Sequence, residues 1–154
     1  MFYLRKTKLS DINNIIDLTS KNLEENAVPL VYLNDLYDID FNFNYVCFNN
    51  NKLIGIVSCT ISNHILKINC LCIDFPFQGK GFGTILLDRI KSDCNSTLNS
   101  RKNTKYFINK IRLHVRSDNV KAQEFYKKHG FQIIDNQSNY YNKNVSGLLM
   151  EFNL

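Results

Sequence analysis

Gln78-Gly79-Lys80-Gly81-Phe82-Gly83-Thr84 joins an apolar run of strand length, Ile65–Ile73, to a helical stripe. Downstream, Phe82–Cys94 is predicted as a helix with Ile85, Leu86, Leu87 and Ile90 on its buried side. Glycines at such a junction let the backbone adopt conformations closed to residues with a Cβ, and let a ligand approach closely. A helix start presents unpaired N–H groups and the positive end of the helix dipole, which suits an anion such as a pyrophosphate. Lys80 adds charge to the same turn. The stretch lacks Gly-Lys-Ser/Thr at P-loop spacing, and no glycine follows the strand directly as a dinucleotide turn requires.

Outward from this turn, short strands come first and strand–helix–strand units later. Phe2–Lys6, Tyr45–Phe48, Leu53–Ser62 and Ile65–Ile73 are predicted strands, with turns at Asn49-Asn50-Asn51 and Asn63-His64. Ser10 is a candidate cap for a helix carrying Ile12, Ile15, Ile16 and Leu18. Val31–Asp38 is a second short helix. Asn95–Lys105 is polar and basic and is expected to be a loop inside the domain. Phe107–Val115 follows as a strand, Val120–His129 as a helix ended by Gly130, and Phe131–Asp135 and Gly147–Phe152 as the last strands. His129 falls where a cation favours a helix C-terminus. The order predicts an α+β fold: a mixed, mostly antiparallel sheet of about seven strands, with about four helices on both faces in three layers.

The chain has 154 residues, enough for a single domain (1–154) with one core. Nineteen Lys+Arg against fourteen Asp+Glu leave a net charge of +5. That mild excess suits a phosphate-bearing small ligand better than nucleic acid, and no aromatic-basic stripe points to direct nucleic-acid binding. No apolar run approaches the roughly 20 residues a membrane span needs. Met1-Phe2-Tyr3-Leu4-Arg5-Lys6 has no apolar secretory stretch, so a cytoplasmic location is expected. The five cysteines, Cys47, Cys59, Cys70, Cys72 and Cys94, read as small reduced side chains in the core. His64, His114 and His129 are scattered, which argues against a metal site. About one residue in seven is Asn, a compositional habit without chemistry of its own.

A second segment reads Ile111-Arg112-Leu113-His114-Val115-Arg116-Ser117-Asp118-Asn119, then Val120 to Phe131 with Tyr126 two turns into the helix. A strand end, a polar turn and a helical Tyr, in order after the glycine turn, resemble the GNAT superfamily of acyl-CoA-dependent N-acetyltransferases over residues 2–153. Leu113-His114-Val115, Phe125-Tyr126-Lys127-Lys128, Gly130-Phe131, Asn139-Tyr140-Tyr141 and Val28-Pro29-Leu30-Val31-Tyr32 are similar to the catalytic subunit of N-terminal acetyltransferase E.

The resemblance implies acetyl-CoA as co-substrate and no metal. It places Leu71, Cys72 and Ile73 along the pantetheine arm and Gln78, Gly79, Lys80, Gly81, Phe82, Gly83 and Thr84 on the pyrophosphate. Asn119 and Tyr126 fall near the thioester, and His114 is the implied general base. Pro29, Tyr32, Asn69, Tyr140 and Tyr141 line the implied peptide site. Lys80, Arg116, Lys127 and Lys128 are the cations expected near the phosphates. One position departs: where the family has a catalytic Tyr on the fourth strand this chain has Lys67, and where the family has Met two residues later it has Asn69. Lys67 is therefore a candidate catalytic group, or the register slips locally.

The implied activity is acetyl transfer to the α-amine of Met-starting protein N-termini. An α-amine titrates near 8 and a lysine near 10.4, so the α-amine is uncharged about 250 times more often, worth about 3.3 kcal/mol of barrier. A histidine base near 6.5 matches the α-amine better than lysine. Two alternatives stand: a small-amine or lysine acetyltransferase of the same fold, and a weakly active acetyl-CoA-binding subunit of a ribosome-associated complex. The expected partners are accordingly a peptide or protein N-terminus and subunits of such a complex.

Overall fold

The computed structural model describes residues 1–23, 43–99 and 107–154. Seven strands form one sheet in the order β1-β2-β3-β4-β5-β7-β6. They are β1 (Phe2–Lys6), β2 (Tyr45–Asn49), β3 (Lys52–Ser62), β4 (Ile65–Ile73), β5 (Lys110–Arg116), β6 (Gln132–Asn142) and β7 (Val145–Asn153). Neighbours run antiparallel except β4 and β5, which are parallel. A parallel pair needs a long crossover, and α2 (Phe82–Asn99) lies in that connection. With α1 (Ile12–Asn22) and α3 (Val120–Lys128) it makes three α-helices among the described residues. The expected helix at Val31–Asp38, Pro29 and Tyr32 lie outside the described residues.

Helices cover both faces. Ile15 and Leu18 of α1 pack on Val46, Phe48, Ile56, Cys70 and Cys72. Leu86, Leu87 and Ile90 of α2 and Tyr126 of α3 pack on the other face, with Cys47, Val57, Leu66, Ile68 and Leu113. All five cysteines are free and buried, and burial pushes the Cys72 thiol up to about 12. Such thiols are inert.

Membership of the two clusters changes along β4. Leu66 and Ile68 face α2 and α3, whereas Cys70 and Cys72 face α1. Alternate residues of a regular strand keep one face, so the change needs an extra residue. Cys59 pairs with Ile68 and Ser58 with Cys70, which leaves Asn69 unopposed in a β-bulge. A bulge bends its strand and increases its twist. Pairing of β4 with β5 runs from Ile65↔Lys110 to Ile68↔Leu113 and ends there, although both strands continue. The two central strands part immediately at the bulge.

Several boundaries differ from expectation. α2 continues through Asn95–Asn99, which was expected to be loop. The Thr97 hydroxyl donates to the Cys94 carbonyl at 2.7 Å and accepts the Ile108 N–H at 3.0 Å, so this polar stretch is a solvated helix end tied to the next segment. Ile16 and Ile85 are exposed, because each lies off the narrow buried stripe of its helix. Asp11, not Ser10, precedes α1, at the end of a 3-10 turn (Leu9–Asp11). The Arg5 guanidinium, forked onto its carboxylate at 2.7 Å, holds the buried Asp11 below the usual carboxylate range. The fifth strand starts at Lys110 rather than Phe107, and the last two strands are longer than expected, so Tyr140 and Tyr141 lie in β6 instead of a loop. Gly130 has φ +86, the left-handed conformation expected after α3.

Candidate active site

The parting of β4 and β5 opens a cavity of about 140 Å³, lined by Asn69, Cys70 and Leu71, by Leu113 to Arg116, and by Asn119, Ala122, Tyr126 and Tyr141. Beyond Ile68 the side of β4 that faced β5 has no strand partner among the described residues, so Leu71 to Ile73 present a backbone edge toward the notch. Unpaired strand edges template a further extended segment.

Past Ile73, a 3-10 turn (Phe75–Phe77) leads into the glycine turn. Gln78 fastens it: its amide donates to the Ile73 carbonyl at 3.0 Å and accepts from Lys121 of α3 at 3.3 Å. Gly79 and Gly81 have φ +72 and +87, with nothing within 4 Å of where a Cβ would stand. Their requirement is dihedral rather than steric, and the backbone above them is uncovered. The Ile85 N–H donates to the Gly81 carbonyl at 3.1 Å, so the N–H groups of Phe82, Gly83 and Thr84 form the unpaired first turn. The ring of Phe82 packs on Phe2 with centroids 5.1 Å apart, so its side chain anchors the helix start and only its backbone faces a ligand.

Two of the cations expected near the phosphates have carboxylate partners. Arg116 forks onto Asp118 at 2.9 and 2.8 Å, and Lys127 pairs with Glu124 at 3.2 Å. Lys121, which the reading of the chain passed over, reaches the turn through Gln78. The Lys80 ammonium lies 5.7 Å from the Phe77 ring centre. Thr84 contacts His129 Nε2 at 3.1 Å, and His129 Nδ1 lies 2.7 Å from the Phe125 carbonyl. A carbonyl only accepts, so Nδ1 carries a proton; His129 caps its own helix, with Lys91 donating to the His129 carbonyl.

His114 stands on β5 at the mouth of the notch. Its Nε2 lies 2.9 Å from Gln137 Oε1, and the Gln137 amide nitrogen points to Asp135 at 3.3 Å. That orientation makes the Gln137 oxygen the acceptor, so Nε2 carries the proton and Nδ1 keeps a lone pair. Nδ1 is buried without a hydrogen-bond partner among the described residues. Burial holds the ring below its ordinary pKa; the Gln137 bond opposes this, the charge of Lys67 adds to it, and Asp135 opposes it. The outcome is a neutral imidazole with one unsatisfied basic nitrogen, an arrangement that accepts a proton.

The ring is also held from above. Tyr140 stacks on His114 with centroids 4.0 Å apart and planes 10° apart. Between Gln137↔Gly147 and Asn142↔Val145 the pairing of β6 with β7 is irregular, and Asn139 has φ +56. This bowed stretch lays Tyr140 against Gly147, where a Cβ would stand 2.7 Å from the ring. Gln137 and Gly147 were not foreseen as site residues. The run Asn136-Gln137-Ser138-Asn139 follows the predicted strand as polar residues, and nothing in it marks a residue opposite β5.

Tyr126 is buried in the core and also lines the notch, and burial pushes its phenol well above the usual range. Asn119 caps α3, its side chain accepting the Ala122 N–H at 3.1 Å, and borders the same cavity. Asn69 sits in the bulge, its amide donating to the Thr60 hydroxyl at 3.1 Å. Lys67 does not line the notch. It opens onto a second cavity of about 310 Å³, which it shares with Thr60, Ser62, Asn63, Arg112 and His114. His114 is thus common to both cavities. No group of three or more His, Cys, Asp or Glu among the described residues is placed to hold a metal. No described helix is long and apolar enough to cross a membrane.

The chain is similar to known acetyltransferases in sequence and in fold. The chain is 29% identical over 134 residues to "Probable N-acetyltransferase san" of Drosophila melanogaster, covering 80% of this chain and 66% of that protein. It is 29% identical over 105 residues to "N-alpha-acetyltransferase 50" of Danio rerio, covering 64% of this chain and 56% of that protein. Among solved structures, Ard1 from Thermoplasma volcanium superposes with a TM-score of 0.85 at 24% identity, over 99% of this chain and 97% of that one. Naa50 of Arabidopsis thaliana, solved with the bisubstrate analogue CoA-Ac-MVNAL, superposes at 0.82 with 21% identity, over 99% of both chains. Residues 12–131 match the Acetyltransferase (GNAT) family, which uses acetyl-CoA, and the chain belongs to that family.

Proposed function

We propose that this chain transfers acetyl from acetyl-CoA to the α-amine of Met-starting protein N-termini by direct attack, and that residues 1–154 form a single domain. The observation that carries the reading is His114: a neutral ring, fixed by Gln137 and Tyr140, with an unpartnered Nδ1 where β4 and β5 part. The relative named N-alpha-acetyltransferase 50, and the structural neighbour solved with a CoA-peptide analogue, favour the same acceptor.

The residues present fit the co-substrate. The uncovered turn at Gly79 and Gly81 and the first-turn N–H groups of α2 suit a diphosphate, and the free edge of Leu71 to Ile73 suits an extended amide-bearing arm. When bound, acetyl-CoA would supply a thioester carbonyl whose C–S bond breaks as the amine nitrogen forms the new amide, with coenzyme A leaving as its thiolate. His114 takes the amine's proton at Nδ1, through a water. Gln137 is a positioning residue that keeps the proton on Nε2. Tyr126 and Asn119 border the reacting end of the notch, and Tyr140 and Tyr141 border the acceptor's approach. Lys67 surrounds that approach with positive charge, which favours an amine that arrives uncharged.

The test is acetyl transfer from labelled acetyl-CoA to a panel of Met-starting peptides, an internal-lysine peptide and small amines. Preferential labelling of the peptide α-amine is expected. Transfer only to lysine or small amines overturns the acceptor assignment, and tight CoA binding with no transfer to any amine identifies a binding subunit instead.

A further inference from the structure

The cavity beside Lys67 has no role in binding the co-substrate as described. It shares His114 with the notch, and its largely apolar lining, with Ile65 and Leu149, carries two cations, Lys67 and Arg112. Arg112 in its wall is already committed: its Nε donates to Glu151 at 2.7 Å, and Lys110 donates to the same carboxylate at 3.0 Å. Burial alone would raise the Glu151 pKa; these two bonds outweigh it and keep Glu151 ionised. Lys67 is half-buried and has no hydrogen bond or ion pair among the described residues. Two cations thus share the Glu151 carboxylate, and Lys67, the charge left without a partner, is the one that acts on the proposed base. Asp135 faces His114 from β6 but is engaged with Gln137 and does not line the cavity. A half-buried ammonium that loses water without gaining an anion is unfavourable, and an anionic ligand relieves that cost.

We propose, on the footing of the N-terminal acetyltransferase reading, that this cavity selects acceptors with a carboxylate in their first two residues, and that Lys67 is the residue that recognises it. The carboxylate lies against the Lys67 ammonium while Ser62 offers a hydroxyl donor. The α-amine then lies between this cavity and the notch, the position His114 occupies in the protein by lining both. A lysine at the same acceptor position meets like charge and is rejected.

The experiment compares peptides that differ only as Glu, Gln or Lys at the residue after Met, measured both by turnover and by calorimetric binding to the CoA-loaded protein. A charge-assisted hydrogen bond of this kind predicts about a tenfold preference in kcat/KM for Glu over Gln, and Lys poorest. Lys67→Gln removes the preference, and Lys67→Glu turns it toward the Lys peptide. Equal turnover of the Glu and Gln peptides overturns the charge selectivity and leaves N-terminal acetylation standing. No turnover of any peptide, with Glu still bound more tightly than Gln in the native chain but not in Lys67→Gln, overturns the acetylation reading and leaves the carboxylate site. No difference in binding and no turnover removes both.

Discussion

The two sides of the notch are built in different ways. The side at Gly79–Thr84 is made of backbone: two glycines in left-handed conformations, the first-turn N–H groups of α2 and the free edge of β4. The side at His114 is made of side chains gathered from two strands, His114 from β5 and Gln137 and Tyr140 from β6, with Gly147 of β7 beneath the tyrosine. A backbone site depends on dihedral angles over a few consecutive residues, so it is local along the chain and insensitive to most side chains. A side-chain site depends on register between strands, and a slip of one residue turns its members to the wrong face. The first arrangement suits a constant ligand, and the second lets the acceptor change without disturbing the first.

That contrast breaks most visibly at His114. His114→Ala is expected to lower kcat by about 100-fold or more, the usual range for a lost general base, while CoA affinity by calorimetry stays within about twofold. A parallel loss of CoA affinity would show that the two sides are not independent. Gly81→Ala is the reciprocal variant. No atom crowds a Cβ there, so the cost is the φ of +87 alone, about 1–2 kcal/mol. It is expected to raise the KM for acetyl-CoA by about tenfold with kcat nearly unchanged.

Gln137 gives the smallest effect and the sharpest reading. Loss of its hydrogen bond in Gln137→Leu costs about 1 kcal/mol, or about fivefold in kcat. The pH profile separates this from a general loosening of the fold. His114 acts unprotonated and titrates below its ordinary 6.5, chiefly through burial, so kcat at saturating acceptor falls only as pH drops below that value. The Gln137 bond raises the pKa and the Lys67 charge lowers it, with Asp135 raising it from the same side as Gln137. Gln137→Leu therefore moves the acid limb to lower pH, and Gln137→Glu moves it to higher pH. An unmoved limb in both variants would separate His114 from the proton transfer.

Much of the sheet is legible in the chain because apolar strands and turn residues alternate clearly; β1 and β4 have the predicted bounds. The misread stretches share a cause. Asn95–Asn99 and Asn136–Asn142 are polar segments held by contacts distant in sequence: Thr97 on Ile108 in the first, pairing with β7 in the second. Polar composition signals solvent exposure and says nothing about backbone pairing, so a solvated helix end and an edge strand both look like loop.

By itself the sequence determined the glycine turn, the strand before it and the helix after it, because dihedral preference and apolar period are written in consecutive residues. The tertiary structure alone decided that Asn69 bulges, that β4 and β5 therefore part beside His114, and that Gln137 and Tyr140 arrive from β6 to orient the ring. Those contacts depend on strand register across the sheet, and register is a property of the packed whole rather than of any one segment.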